Sequence, residues 1–563
     1  MRAVYVNQKS RYLYLGVSFL LIASAQPDWS VGACILASCF GFALFWKGLL
    51  NFSSRKARFW VATLWFALIQ AFHFSWFLSD RYVGGYIYPF LSILYLGLGL
   101  QFGLLSILIP RGSKLSYFRL ICLSSLWVIL EWSRLHILSG FSWNPVGIAL
   151  TSTLYGIQFT SLFGVFGLSF WVIGTNLLAL KFLLSPSRKR GINWGVFALI
   201  PYLFGVAHLS FFANRIDKSD GSSLSILLVQ PSLSPEEKYP MEGTIPLSPD
   251  LQWERILSML ASYKDSSVDL LVLPEAVVPY GADNVLYSSN TVRHAFTTLF
   301  GDTRDLIFEP ANFVGNSYWM EKLADFFEAE VIVGLEDMEF DEEGSSCGYN
   351  AAFCFHPSKG RERYEKRVLV PMGEYIPFSW CKKILSKYGI SDSFVAGKQA
   401  KVFSTKKASV GVSICYEETY GELMRANRLQ GADLLVNLTN DGWYPRSRLP
   451  YVHYFHGKLR ALEGGIPLVR CCNTGVTCGV DAFGRDCGML PYDSKKQESA
   501  PGILAVDLPL FSYATLYSRF GDKPVLFLSF ASLICYSVAF LTGLFKSKQL
   551  KIKDLNIYLL KKN

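Results

Sequence analysis

The chain has 563 residues, of which 51% are hydrophobic, 15% aromatic and 17% charged, with a formal net charge of +10. A soluble domain carries about 25% charged residues, and the deficit here is local, which points to membrane spans rather than to an unusual soluble core. Lys and Arg sit between apolar runs and form no aromatic-interleaved basic stripe, so the charge speaks for membrane topology and against a nucleic-acid partner.

Apolar runs recur near 12–28, 30–50, 58–78, 86–110, 117–137, 157–184 and 193–212, with one more near 523–545. Each approaches the roughly 20 residues a bilayer requires, which predicts a multi-pass α-helical membrane domain of about eight spans. Arg2, Lys9 and Arg11 precede the first run. Lys47, Arg55, Lys56 and Arg58 follow the second, and Arg111, Lys114 and Arg119 the fourth. Lys181, Arg188, Lys189 and Arg190 follow the sixth, and Lys546, Lys548, Lys551 and Lys553 the last. The loops at 26–30, 80–86 and 139–145 are poor in both residue types. Basic loops therefore alternate with neutral ones, which puts both termini in the cytoplasm and the block 213–520 outside. The first run, with Ala23-Ser24-Ala25 at its end, also fits a cleaved signal peptide. Glu131 and Arg134, near the end of the fifth run, are expected to pair, to contact head groups or to snorkel.

The block 213–520 changes texture. Short β-branched runs at 224–229, 270–273, 331–335, 410–414, 434–438 and 467–470 read as strands, and 253–263, 318–329 and 453–463 as amphipathic helices. This alternation predicts an α/β sheet domain with helices packed outside. Residues 281–317 fit it poorly and read as an insertion or mobile loop. The chain thus divides into a membrane domain over 1–212, an α/β domain over 213–520, and a final span with a basic tail over 521–563. Of the 12 Cys, four (Cys34, Cys39, Cys122, Cys535) lie in apolar runs. The other eight show neither a disulfide framework nor a CxxC pair, and the vicinal Cys471 and Cys472 suit neither zinc nor an easy disulfide.

Three polar residues stand at the ends of predicted strands. Leu270-Leu271-Val272-Leu273-Pro274 is a buried-type strand closed by Pro, which fixes how Glu275 projects. Lys366 precedes an apolar run that leads into Val370-Pro371-Met372-Gly373-Glu374. Val410-Gly411-Val412-Ser413-Ile414 ends on Cys415-Tyr416-Glu417. Singly, these are a loop carboxylate, a strand-edge lysine and a core thiol. A cysteine becomes a nucleophile when a nearby cation or base supports its thiolate. His453 and His456 are three residues apart, a spacing known from metal sites, but with no third ligand in view they read as a helix surface, and no metal is expected.

Glu275, Lys366 and Cys415, in this order and these contexts, resemble the nitrilase superfamily. With membrane spans on both sides, the chain resembles the apolipoprotein N-acyltransferase family. Gly140-Phe141-Ser142-Trp143-Asn144-Pro145 resembles that family's outer-loop motif, and Asn437-Leu438-Thr439-Asn440-Asp441-Gly442-Trp443 its segment after the nucleophile strand. Arg460-Ala461-Leu462-Glu463, Arg470, Asn473-Thr474-Gly475-Val476-Thr477 and Tyr517-Ser518-Arg519-Phe520-Gly521-Asp522 extend the likeness over nearly the whole chain.

The resemblance implies a nitrilase-like α-β-β-α sandwich for 213–520, facing the periplasm from the cell inner membrane. It implies Cys415 as nucleophile, Glu275 as general base and Lys366 as oxyanion stabiliser. Glu374 and Glu417 would support them, Tyr416 would line the acyl or amine path, and Trp443 would shape a mobile wall. The implied partners are membrane lipids, a phospholipid as acyl donor and the free α-amino group of a diacylglyceryl-cysteine on an apolipoprotein as acceptor, with no cofactor. Two departures stand out. Tyr239 occupies the stretch where the family usually has a Trp that contacts substrate, and the stretch between Glu275 and Lys366 is longer than usual. A membrane-anchored amidase that hydrolyses a small amide would use the same three groups, with water in place of the amine.

Overall fold

In the computed structural model of the protein, the described residues are 8–560 apart from 80, 83, 112–114, 217–222, 242, 302, 304–305, 309–311, 341–343, 345, 386–392 and 494–497. Arg2, Asp80 and Lys114 of the loop pattern lie outside them. A helix covers every predicted apolar run: Gln8–Ala23, Val31–Leu36 continued by Phe42–Leu49, Arg55–His73, Ile87–Ile107, Tyr117–Ser133, Thr160–Leu184, Arg188–Ile216 and Lys523–Leu560. Five stretches, Val31–Leu49, Ile87–Ile107, Thr160–Leu184, Arg188–Ala213 and Lys523–Thr542, are long and apolar enough to cross a membrane by length and composition. Gln8–Ala23 and Tyr117–Ser133 are shorter, at 16 and 17 residues, and Arg55–His73 opens on Arg55, Lys56 and Arg58.

Aromatic packing binds this bundle. Phe42, Phe45, Trp46, Trp65, Phe66 and Trp127 all contact the ring of Phe102 or one another. The second helix contains a π-helical turn, Ala37–Gly41, whose displaced backbone groups need partners. Buried Asn176 supplies them, accepting from Phe42 N at 2.8 Å and donating to Ser38 O at 2.8 Å. Glu131 and Arg134 are both buried rather than snorkelling. Glu131 accepts from Trp127 Nε1 at 2.8 Å and Val146 N at 2.9 Å, and Arg134 donates to Gln101 Oε1 at 2.7 Å.

The second part is built on two six-stranded sheets. The first comprises β1 (Ser223–Gln230), β2 (Leu270–Val272), β3 (Glu330–Phe340), β4 (Ser346–His356), β5 (Gly360–Glu365) and the late strand β12 (Gly502–Pro509). The second comprises β6 (Val402–Ser404), β7 (Ser409–Ile414), β8 (Leu434–Thr439), β9 (Leu468–Cys472), β10 (Cys478–Val480) and β11 (Asp486–Met489). Their orders are β12-β1-β2-β3-β4-β5 and β11-β10-β9-β8-β7-β6. Strands β1, β2 and β3 run parallel, as do β7, β8 and β9, and the outer strands add on antiparallel.

Period-two alternation sorts the side chains between two cores. Leu224, Ile226 and Leu228 of β1 point into the layer between the sheets and meet Val410, Val412, Ile414, Val436 and Leu438. Leu227 and Val229 point the other way, onto the helices Pro249–Leu260 and Asn316–Phe327. Helices Gly421–Leu429 and Leu449–Gly464 cover the second sheet. The result is the expected α-β-β-α sandwich.

Residues 281–317 are not a loose insertion where they are described. Tyr287–Ser288 pairs with Phe313–Val314, and Ser289–Phe300 is a helix. Its Val292, Phe296 and Phe300 are buried in the cluster that holds Trp253 and Trp319. The i, i+4, i+8 spacing of those three residues gives an apolar stripe, and a helix with such a stripe packs.

Candidate active site

The three strand-end residues converge between the sheets. Strand β2 stops at Val272, and Pro274 has no N–H to continue the ladder. Leu273 N still donates to Ile332 O at 2.8 Å and Val277 N to Gly334 O at 3.0 Å, so the turn carrying Glu275 stays anchored to β3. Gly334 makes this approach possible, because a Cβ there would sit 2.6 Å from Glu275 Cα. Ala276, next in the turn, has φ +41°.

Lys366 follows edge strand β5, but it is buried rather than exposed. Its Nζ lies 3.1 Å from Glu275 Oε1 and 2.7 Å from Glu374 Oε1. Asn350 Nδ2 donates to the same two oxygens at 2.8 and 2.9 Å. Glu374 Oε2 accepts from Val370 N at 2.8 Å, which pins the turn after Lys366. Burial works against the Lys366 ammonium, but Glu275, Glu374 and Cys415 outweigh it and hold its pKa well above the ordinary lysine value.

Cys415 is half-buried at the end of β7 with φ +51°, a left-handed conformation that costs a non-glycine residue about 1–3 kcal/mol. Several contacts hold it there. Glu417, fully buried, accepts from Ile414 N at 2.8 Å, Arg367 N at 2.6 Å and Val368 N at 3.2 Å, tying the nucleophile strand to the lysine loop. The Cys415 carbonyl accepts from Asn437 Nδ2 at 3.2 Å and lies 3.1 Å from His453 Nε2. His453 Nδ1 is 3.0 Å from Asp441 Oδ1, and Nε2 is 3.0 Å from Glu418 Oε1, which is paired with buried Arg470. Burial pushes the Cys415 thiol well above its ordinary value, as do Glu275 and Asp441, while Lys366 and the Thr439 hydroxyl oppose them. A resting thiol beside a carboxylate and an ammonium suits proton transfer coupled to attack.

Loop 139–146 of the helical region closes over this elbow. Tyr416 OH donates to Gly140 O at 3.0 Å and Tyr420 OH to Ser139 O at 3.2 Å. Trp143 stacks on Tyr416 with centroids 5.4 Å apart and meets His453 and His456 edge-on. The expectation of an exposed histidine pair is therefore corrected: both are buried on the inner face of their helix. Among the described residues, no group of three or more His, Cys, Asp or Glu is arranged to hold a metal. Tyr239 is half-buried and stacks on Trp443 at 6.2 Å, with Tyr82 edge-on to the same indole, and Trp443 is 41% exposed.

Glu275, Lys366, Glu374, Cys415 and Glu417 form one hydrogen-bonded and electrostatic cluster, and Tyr416 is its link to the helical region. Sequence reading missed Asn350 and Glu418, and it named Asn437, His453 and Arg470 without placing them at the nucleophile. Asn437 and Asp441 stand in a stretch already singled out, whereas nothing near Asn350 in the chain marks it.

Comparison with known proteins agrees with this architecture. Residues 17–178 match the apolipoprotein N-acyltransferase N-terminal domain, and residues 242–509 match the carbon-nitrogen hydrolase family. The apolipoprotein N-acyltransferase of Chlamydia caviae is 38% identical over 94% of this chain and 98% of its own length. That of Chlamydia muridarum is 37% identical over 93% and 96%, and that of Geobacter metallireducens 29% over 77% and 76%. A likeness of that extent, spanning the apolar helices and the sandwich together, makes this chain a member of the apolipoprotein N-acyltransferase family.

Proposed function

We propose that the protein is an N-acyltransferase that moves a fatty acyl chain from a phospholipid, through a thioester on Cys415, to the terminal amine of a diacylglyceryl-cysteine on an apolipoprotein. The observation that carries this reading is the position of Lys366 Nζ, 3.1 Å from Glu275 and 2.7 Å from Glu374, acting electrostatically on Cys415 beneath a loop of the helical region. Glu275 takes the thiol proton as sulfur attacks the ester carbonyl carbon. The carbonyl electron pair moves onto oxygen, where Lys366 and a backbone N–H beside Cys415 stabilise it. Collapse breaks the ester C–O bond, and the departing lysophospholipid oxygen takes the proton from Glu275. The amine then attacks the thioester and gives its proton to Glu275. The expelled thiolate recovers that proton, leaving an amide. Glu374 keeps Lys366 aimed, and Tyr239 and Trp443 border the substrate path. The amidase alternative is not favoured, because the relatives that match along both parts are named for acyl transfer.

Orientation completes the reading. About eight spans, with basic loops on the cytoplasmic side, leave 213–520 on the periplasmic face of the inner membrane. There the domain meets two substrates that are themselves confined to the bilayer surface, and proximity replaces diffusion from bulk. Domain limits of 1–212, 213–520 and 521–563 follow the change from apolar helices to sandwich and back.

Incubating the full-length protein with a phospholipid labelled in its acyl chain tests the chemistry. The expected result is a hydroxylamine-sensitive label on wild-type protein, absent in Cys415→Ala and discharged by a diacylated lipopeptide with a free amine. Label retained in Cys415→Ala would sink the assignment. A reporter active only outside the cytoplasm, inserted within 213–520, is expected to be active.

A further inference from the structure

A second lysine is buried at the site. Lys238 ends the short helix Pro235–Lys238, whose Ser234–Glu237 capping box fixes its start just after β1. It is 1% exposed, and burying an ammonium costs several kcal/mol unless charges and acceptors offset it. Its Nζ donates to the carbonyl of Ala276, the left-handed residue that follows Glu275. Two carboxylates, Glu275 and Glu336, act on its charge, and Nζ sits 5.6 Å from the centroid of the Tyr239 ring. Glu336 is itself held up by burial and relieved by Lys238.

We propose that Lys238 is a positioning residue for Glu275, its ammonium clamping the Ala276 carbonyl so that the base keeps its aim, with its charge favouring the carboxylate. This rests on the reading of Glu275 as general base. Two cations then flank one carboxylate with separate tasks. Lys366, at 3.1 Å, is shared with Glu374 and acts on Cys415, whereas Lys238 acts on the turn. The Asn350 amide at 2.8 Å, Cys415 and the Tyr239 hydroxyl also face Glu275. Burial brings Lys238 down to about 8, and Glu275 and Glu336 pull it back up.

The test measures the rate of thioester formation from a phospholipid labelled in its acyl chain, against pH, on full-length protein in detergent. Lys238→Gln keeps a donor for the Ala276 carbonyl and removes the charge. With the donor kept, it is expected to raise the midpoint of the acid limb by about one pH unit while the rate above that limb stays within about threefold of wild type. Lys238→Arg keeps the charge and is expected to hold the wild-type midpoint. A Lys238→Gln protein with an unmoved midpoint, whatever its rate, overturns the proposal. If thermal melting shows that Lys238→Gln is unfolded, Lys238→Arg decides, and an upward displacement of its midpoint overturns the proposal. Glu275→Gln in the same assay separates the two readings. Wild-type rates there sink the base assignment, whereas an inactive Glu275→Gln beside unmoved Lys238 midpoints sinks only the role of Lys238.

Discussion

Glu417 shows how one side chain sets the geometry of another. Its carboxylate takes three backbone N–H groups and the Tyr364 hydroxyl, at 2.8 Å to the nearer oxygen, so it joins β7, the loop after Lys366 and the edge of the first sheet. A glutamine there presents an N–H₂ to some of those donors. Glu417→Gln is expected to lower stability by about 3 kcal/mol, the scale of a buried charge-assisted network. Thioester formation is expected to fall about a hundredfold, since small displacements of a nucleophile are that costly. Thermal melting and acyl labelling check the two effects separately.

At the scale of elements, helix Leu449–Gly464 connects the nucleophile to the apolar helices. His453 reaches the Cys415 carbonyl from its first half. From its last turn, Glu463 accepts from Val165 N at 3.1 Å and pairs with Arg460 at 3.0 Å, beside Asp522 at the start of the last apolar helix. Burial pushes the Glu463 carboxyl up to about 7. Burial, followed by Glu463 and Glu422, pushes Asp522 up to about 8. Both values lie above those of the unfolded chain, so between about pH 4 and 8 these two groups hold more protons in the folded state, and the stability they contribute falls as pH rises through that window. Asp522→Asn is therefore expected to raise the melting temperature in detergent at pH 8 relative to wild type by more than it does at pH 5.

At the scale of the molecule, the sandwich and the helical region meet at several points. Asp28 pairs with Arg448, whose guanidinium lies 3.6 Å from the centroid of Trp29. Ser79 donates to Pro445 O at 3.1 Å, and Arg81 and Tyr82 meet Glu236. Trp143 reaches the residues around the nucleophile, wedged against Tyr416, His453 and His456. Trp143→Ala is expected to cost about 3 kcal/mol of stability, as for other buried indoles, and to reduce thioester formation while Cys415 remains present. Melting curves and acyl labelling of the same preparation check this, and unchanged labelling would show that the elbow is held by the sandwich alone.

Local order was legible in the amino-acid sequence. Apolar run length marked the long apolar helices, and short β-branched runs marked β1, β2, β3, β7, β8 and β9, because those signals come from burial within one element. Glu275, Lys366 and Cys415 were legible as ends of such elements. The edge strands β5 and β12, and β4 beside β5, were not, since their mixed residues take on a pairing only through distant partners. The helix Ser289–Phe300 was missed because its stripe acquires meaning only against Trp253 and Trp319. Only the tertiary structure decided that Lys366 is buried between two carboxylates, that Asn350 bridges them and that His453 faces inward. Each of these depends on residues tens of positions apart being brought within 3.1 Å, a distance set by the order of strands within each sheet and by the helix packed on it, and not by any local propensity.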